Sequence, residues 1–440
     1  QTKSSESFEV FADFLRVLRF QRMAFAMLGT VGPVPPPVPH VGPVPHVPLV
    51  RSSRLGHGHE VATPKLRLAT ALMASALRCR PSHRRRTRAA AGRRGAVDAV
   101  DVVGPSRRSL WLSALVPTVA KAASLSILTP EILKEAKRKV AIITGATSGV
   151  GLEAARILAA NGCDVYVTGR TLQKAKDAVA DVGTTATGQV FPLELNLASL
   201  TSVRNFVAEW KSIRKPVDIL ACNAGLALGQ DQTEPQFTED GFELTVGTNH
   251  LGHFLLVNLM EEQLAPTARV VITASSVHNP ATGDPGKQAT LGDLSGLGKG
   301  MVDGGPFDAG KAYKDSKLCN VLFTLELARR LKKKGSKITA NCFSPGLIPS
   351  KTFFRYQNQT FSSVFAFAAD NVLQISETPQ FGGQTLTYVA LAPEAAVGGK
   401  FYSAIPPGKH EFVEDTPSEE ARNEAEAAEL WKRSVALVGL

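Results

Sequence analysis

From Lys139 onward, apolar runs of four to six residues alternate with stretches of ten to fifteen in which apolar side chains recur every three or four positions. Short runs followed by helical periodicity are the pattern of repeated strand–helix–strand units, whose strands are buried on both faces of a parallel sheet. The predicted strands are Val140–Thr144, Val165–Thr168, Gln189–Leu195, Ile219–Asn223, Arg269–Thr273 and Lys337–Phe343. Six such strands predict a single α/β domain built on a doubly wound, Rossmann-type parallel sheet.

Before that domain the texture is different. Residues 31–50 form a Pro-rich tract that can sustain neither a helix nor a central strand. Thr63–Arg94 is rich in Arg, Ala and Ser and has no acidic residue, the composition of an organelle transit segment. Arg107-Arg108 followed by a short apolar run and small residues at Ala120 and Ala122 has the outline of a twin-arginine signal, an outline that an Ala/Arg-rich leader also produces by chance. The expected division is a disordered leader with an organelle transit segment over residues 1–130 and a single α/β domain over residues 131–440.

Charge follows the same division. Residues 1–139 hold 23 Lys and Arg against 8 Asp and Glu, whereas residues 140–440 hold 27 against 31. The basic excess therefore belongs to the leader, and with no basic stripe interleaved with aromatics in the domain, no nucleic-acid partner is expected. The cysteines, Cys79, Cys163, Cys222, Cys319 and Cys342, are scattered and odd in number, which predicts neither a disulfide framework nor a metal site. No apolar run reaches the roughly 18 residues a spanning helix needs, so any membrane association is expected to be peripheral.

The first predicted strand runs directly into Thr144-Gly145-Ala146-Thr147-Ser148-Gly149-Val150-Gly151 and then a helical pattern. A Gly-rich turn at that place lets backbone N–H groups approach a pyrophosphate, and the helix N-terminus adds a favourable potential. The second strand ends at Thr168-Gly169-Arg170, where a site for NAD would carry an acidic residue against the adenosine ribose. A guanidinium there can clamp a 2′-phosphate, so NADPH is the expected cofactor, with Lys174 as a helper.

Tyr313-Lys314-Asp315-Ser316-Lys317 opens a long helical pattern, and its i, i+4 spacing puts Tyr313 and Lys317 on one face. An ammonium beside a phenol favours the phenolate, so this pair is expected to lower the Tyr313 pKa and to move protons near neutral pH. The strand before it ends in Ser275-Ser276, of which Ser276 is the expected partner of the tyrosine; Asn223-Ala224-Gly225 follows the fourth strand, and Asn249 lies in a helical stretch, placed to hold a water that relays protons to Lys317.

With those elements in that order, residues 138 to about 345 resemble the short-chain dehydrogenase/reductases. The resemblance implies a catalytic tetrad of Asn249, Ser276, Tyr313 and Lys317. It also implies cofactor contacts from Gly145, Thr147, Ser148, Gly149, Val150, Gly151, Arg170, Asn196, Asn223, Ala224, Gly225 and Pro345, with Tyr313 and Lys317 shared. Asn196 stands where the family often has Asp beside the adenine.

Between Ser276 and Tyr313 lie 36 residues, against about a dozen usual in the superfamily. That long insert, the stretch Gly241–Phe254, Gly398-Gly-Lys-Phe-Tyr402 and the terminal Leu430–Leu440 resemble the light-dependent protochlorophyllide reductases. This resemblance implies a plastid enzyme, in the stroma or peripheral on the thylakoid membrane and able to form homo-oligomers. It would use NADPH to reduce the D-ring double bond of protochlorophyllide when the pigment absorbs light. The Phe-rich stretch from Phe353-Phe354 to Phe365-Ala-Phe367 is a candidate apolar lid. One residue departs from the pattern: after the last central strand the family has P-G-C, and this chain has Pro345-Gly346-Leu347. Leucine donates no proton. Retinol-dehydrogenase-like members share the Asn249–Phe254 and Ser316–Arg330 stretches, and a non-catalytic pigment- or NADPH-binding component suits Leu347.

Overall fold

The computed structural model describes residues 126–349, 356 and 359–440. Residues 1–125 of the expected leader, and Phe353 and Phe354 of the expected lid, lie outside the described residues. The described chain begins with a short helix α1 (Pro130–Lys134), capped by the Thr129 side chain, which accepts from Ile132 N, with Pro130 at the first helical position, where a missing N–H is harmless.

All six predicted strands form: β1 (Val140–Ile143), β2 (Asp164–Gly169), β3 (Val190–Glu194), β4 (Val217–Cys222), β5 (Leu264–Thr273) and β6 (Thr339–Ser344). Two more follow, β7 (Phe401–Ala404) and β8 (Phe412–Asp415), giving an eight-stranded sheet in the order β3-β2-β1-β4-β5-β6-β7-β8. Seven strands run parallel, as the Rossmann-type reading expects, and β8, beyond the six predicted strands, pairs antiparallel with β7 at one edge. Pro192 sits in β3, at the other edge, where the N–H it lacks has no second neighbour to serve.

Both faces of the sheet are covered, which is why β1 reads as an unbroken apolar run and is buried throughout. On one face lie α2 (Gly149–Ala160), α3 (Leu172–Gly183) and α8 (Pro379–Leu391), closing a core that contains Ile143, Leu158, Val167, Val182, Leu386 and Tyr402. On the other lie α4 (Leu200–Ile213), α5 (Gly252–Met260), α6 (Ala309–Lys333) and α9 (Glu424–Val438), closing a second core around Ile142, Phe206, Trp210, Phe254, Phe323 and Leu430. Between the cores stands the strand order that reverses after β1: the chain goes outward to β3, then returns to β4 on the other side of β1. Two neighbouring strands whose crossovers leave in opposite directions open a crevice at their carboxyl ends, and that crevice is where α/β sheets bind ligands.

Candidate active site

The crevice is assembled around one buried hydroxyl. Thr144, at the end of β1, accepts at Oγ1 from the N–H groups of Asn223, 2.8 Å away, and Ala224, 2.9 Å away, while the Asn223 side-chain amide donates to Thr144 O at 3.0 Å. The glycine loop and the Asn-Ala-Gly turn are thereby stitched face to face. Two of the loop glycines exist for that contact: at Gly145 (φ 63°) a Cβ would lie 2.8 Å from Ala224 Cα, and at Gly151 one would lie 2.5 Å from Asn223 Nδ2. Gly151 thus stands behind the loop and seats Asn223, whereas Gly145, Thr147, Ser148, Gly149 and Val150 line the cavity in front of it.

Helix α2 starts at this loop with Ser148 as its N-cap, and the serine hydroxyl makes no capping hydrogen bond. Open N–H groups with the positive end of the helix dipole behind them suit a pyrophosphate. Further along the same cavity are Arg170 and Lys174, both exposed, and Asn196, whose Oδ1 accepts from Ala198 N at 3.2 Å and whose Nδ2 reaches Glu239 at 3.4 Å. A cationic pair at the adenosine end and an open glycine turn at the pyrophosphate end fit a 2′-phosphorylated dinucleotide.

The catalytic helix α6 begins at Asp308, whose carboxylate accepts from Lys311 N at 2.8 Å. Its first turns carry Tyr313 and Lys317 into the cavity, the ammonium 5.6 Å from the tyrosine ring centre. Lys317 donates to Thr273 O at 2.9 Å, and burial pulls its pKa down to about 8. The expectation for Tyr313 is corrected. Burial, the largest effect, raises its pKa well above the ordinary value, and the hydrogen bond with Ser275 opposes this only in part. Desolvation disfavours the phenolate more than a neighbouring polar group favours it, so the tyrosine is held as the acid.

Ser275, the neighbour of the expected Ser276, is the hydroxyl whose hydrogen bond acts on the Tyr313 phenol, and both serines line the cavity. Ser275 is extended (φ −164°) and Ser276 begins a tight 3₁₀ turn, so neighbouring side chains point apart; Ser276 lines the cavity one step away. His278 holds this turn: Nδ1 donates to Ser275 O at 2.6 Å, and Nε2 accepts from Ser418 N at 3.2 Å.

Asn249 lies in a π-helical turn, Gly247–Leu251, closed by Gly252 N donating to Gly247 O. Turns of this kind insert one residue into a helix and recur at functional sites. The side chain of Asn249 is fully engaged: Oδ1 accepts from Leu226 N at 2.9 Å, and Nδ2 donates to Leu226 O at 2.9 Å and to Ser316 Oγ at 3.0 Å. Its carbonyl accepts from His253 Nδ1 at 3.0 Å. Asn249 therefore clamps the chain just after Gly225 to α6.

One cavity of about 2190 Å³ takes in the glycine loop, Tyr313, Lys317 and the segment Pro345–Ile348. It is about twice the upper end of the roughly 300–1,000 Å³ range of ordinary small-molecule pockets. An apolar cluster of Leu226, Leu228, Leu244, Phe307, Ala309 and Tyr356 also lines it, and because its members come from four separate segments no local sequence pattern announces it. Of the expected lid, Phe365 lines the cavity, whereas Phe367 is 58% exposed. Leu347 also lines the cavity, and Cys342 is buried in β6 with its thiol pushed up to about 12, so it takes no part. The insert is bound to the catalytic helix by Lys311, whose ammonium meets Asp315 at 2.6 Å, Asp303 at 3.0 Å and Thr290 O at 3.3 Å.

A doubly wound sheet with this loop at its switch point, and a Tyr–Lys pair opening into the same cavity, defines a nicotinamide-dependent oxidoreductase of the short-chain type. The family model for short chain dehydrogenases matches residues 139–283. A chloroplastic protochlorophyllide reductase of Cucumis sativus is 36% identical over 337 residues, covering 73% of this chain and 83% of its own length. Another, from Chlamydomonas reinhardtii, is 38% identical over 318 residues, covering 69% and 79%. The crystal structure of an uncharacterized protein from Mycobacterium paratuberculosis aligns with a TM-score of 0.53 at 31% identity, covering 69% of this chain and 94% of that one. The chain belongs to the short-chain dehydrogenase/reductases and, among them, to the protochlorophyllide reductase family.

Proposed function

We propose that this protein is a light-dependent NADPH:protochlorophyllide oxidoreductase of chlorophyll synthesis, with residues 131–440 as its catalytic domain and residues 1–130 as a leader carrying the plastid transit segment. The observation that carries the reading is the single cavity in which the dinucleotide loop, the Tyr313–Lys317 pair and an apolar wall meet. NADPH supplies the hydride that goes to one carbon of the D-ring double bond. Gly145, Thr147, Ser148, Gly149 and Val150 hold its pyrophosphate end, and Arg170 with Lys174 its 2′-phosphate. Asn196, Ala224, Gly225 and Pro345 line the path between, while Gly151 and Asn223 keep the loop in shape.

Tyr313 delivers the proton to the neighbouring carbon, so that the double bond gains one hydride and one proton. Burial keeps its phenol protonated until it is used, and Ser275 orients it. Lys317 places a cation between Tyr313 and Thr273 O. Leu226, Leu228, Phe307 and Tyr356 exclude water from the apolar macrocycle. In this reading the protein works in the plastid, and its described part meets the stroma or a thylakoid surface from outside the bilayer; no described helix is long and apolar enough to cross a membrane.

Leu347 favours a second reading, a pigment-binding component that does not turn over. One experiment separates the two. The protein is mixed in darkness with NADPH and protochlorophyllide, and absorbance is recorded before and after a flash. A light-dependent shift to the chlorophyllide band establishes the reductase, whereas a bound pigment with no product after the flash establishes the binding component.

A further inference from the structure

His253 is buried on α5, makes no contact with the cavity and has no part in the chemistry proposed above, yet both of its ring nitrogens are committed. Nδ1 lies 3.0 Å from Asn249 O, and Nε2 lies 2.9 Å from Thr144 Oγ1. A carbonyl oxygen only accepts, so Nδ1 carries the hydrogen. In a neutral imidazole Nε2 is then an acceptor, and the Thr144 hydroxyl must donate to it. The other side of Thr144 gives the same answer independently: its oxygen already accepts two N–H groups, from Asn223 at 2.8 Å and Ala224 at 2.9 Å, which leaves only its own hydrogen to offer.

We infer that His253 is a positioning residue that sets the direction of the Thr144 hydroxyl and thereby joins the dinucleotide loop to the Asn249 clamp. With Nε2 accepting, both lone pairs of Thr144 face the Asn-Ala-Gly turn. The turn is held at one end by that hydroxyl and at the other by Asn249, which bonds Leu226 through both N and O. Between the two anchors sits Gly225, where a Cβ would lie 3.4 Å from Asn249 Oδ1 and 3.6 Å from Lys317 Nζ. His253 braces both anchors from behind, so the floor of the nicotinamide end and the seat of Lys317 move as one piece. An imidazolium would break the circuit, because its Nε2–H would face an oxygen whose lone pairs are already taken.

The inference rests on the dinucleotide-binding reading, and its test separates the two. The wild-type protein without ligand is studied first by long-range ¹⁵N–¹H correlation of the His253 ring at neutral pH. The expected result is a neutral ring protonated at Nδ1, the minority tautomer of free imidazole; protonation at Nε2 or at both nitrogens would overturn the inference whatever the protein binds. Two variants follow. Gln at this position can still accept from Thr144, and Asn, one methylene shorter, can reach only toward Asn249. His253→Gln is expected to keep the slow amide exchange of Asn223 and Ala224 and to bind NADPH within about twofold of wild type. His253→Asn is expected to lose that protection and to bind NADPH roughly tenfold more weakly, the loss expected when a buried hydroxyl is left without its partner. A merely structural histidine would give two variants equal in exchange and binding and differing only in Tm, and that result would refute the assignment. If wild type shows the Nδ1–H tautomer and the protected amides but does not bind NADPH, the circuit stands and the cofactor reading falls.

Discussion

Three side chains carry opposed effects whose balance can be measured. Tyr313 should be the proton donor, so Tyr313→Phe should retain pigment binding in the dark and lose at least about 100-fold in flash product, the range of a general acid. Leu347 lines the same cavity but cannot donate, so Leu347→Cys should change the flash yield by no more than about twofold; a large gain would show that the proton route runs through position 347. Lys317 moves activity and stability in opposite directions. Its folded pKa of about 8 lies below the ordinary lysine value, so the unfolded chain binds the proton more tightly over that window. The buried ammonium should cost the fold roughly 3 kcal/mol below pH 8, a cost that fades as pH rises, while the rate falls as the cation is lost through pH 8. A pH–rate profile and a urea titration of Lys317→Met at pH 7, expected to raise the unfolding midpoint, check the two halves. Tyr313 and Lys317 were legible from spacing alone. The direction of the Tyr313 shift was not, because spacing reports a neighbouring charge and says nothing of the water removed by folding.

The elements divide in the same way. The central strands were readable because a strand buried on both faces is written as an apolar run, and the Gly-rich turn was readable because its position between strand and helix is part of the signal. β7 and β8 were missed: each has only four residues, and half of Phe412–Asp415 is acidic, as suits an edge strand with a solvated side. The π turn at Asn249 left no mark in the periodicity, since it adds a single residue. Which of Ser275 and Ser276 acts on the tyrosine is not legible from a repeated hydroxyl, which does not reveal where the strand stops and the 3₁₀ turn starts. The insert shows what long-range chemistry adds. Its ends are pinned by Lys311 against Asp303 and Asp315, and burial raises Asp315 to about 7, against which the Lys311 ammonium works. Lys311→Met should leave that carboxyl without its partner and destabilise the protein by about 3–5 kcal/mol in urea unfolding, with the insert opening first in hydrogen exchange.

Among the described residues, His250, His253 and His278 are buried, and burial favours their neutral form. Burial, the largest cause, lowers His250 to about 3 and His253 to about 4, and it lowers His278 as well; the Lys317 charge adds to the effect on His253. Each folded pKa lies below the unfolded value of about 6.5, so stability is fully present above that value and is lost as pH falls toward the folded pKa. By pH 4, His250 and His253 together should have removed roughly 6 kcal/mol, and the urea midpoint measured from pH 7 down to 4 should fall accordingly. A flat profile over that range would mean that these rings are solvated. Residue type and spacing were enough to predict the class of sheet, the Gly-rich turn at the end of β1 and a Tyr–Lys pair on one helix face, because each is a local pattern with a local cause. The serine that acts on the tyrosine, the tautomer of His253, the apolar wall and the size of the cavity were decided only when segments distant in the chain came together. Those features are set by hydrogen-bond partners and desolvation, which belong to the packed chain and have no local signature.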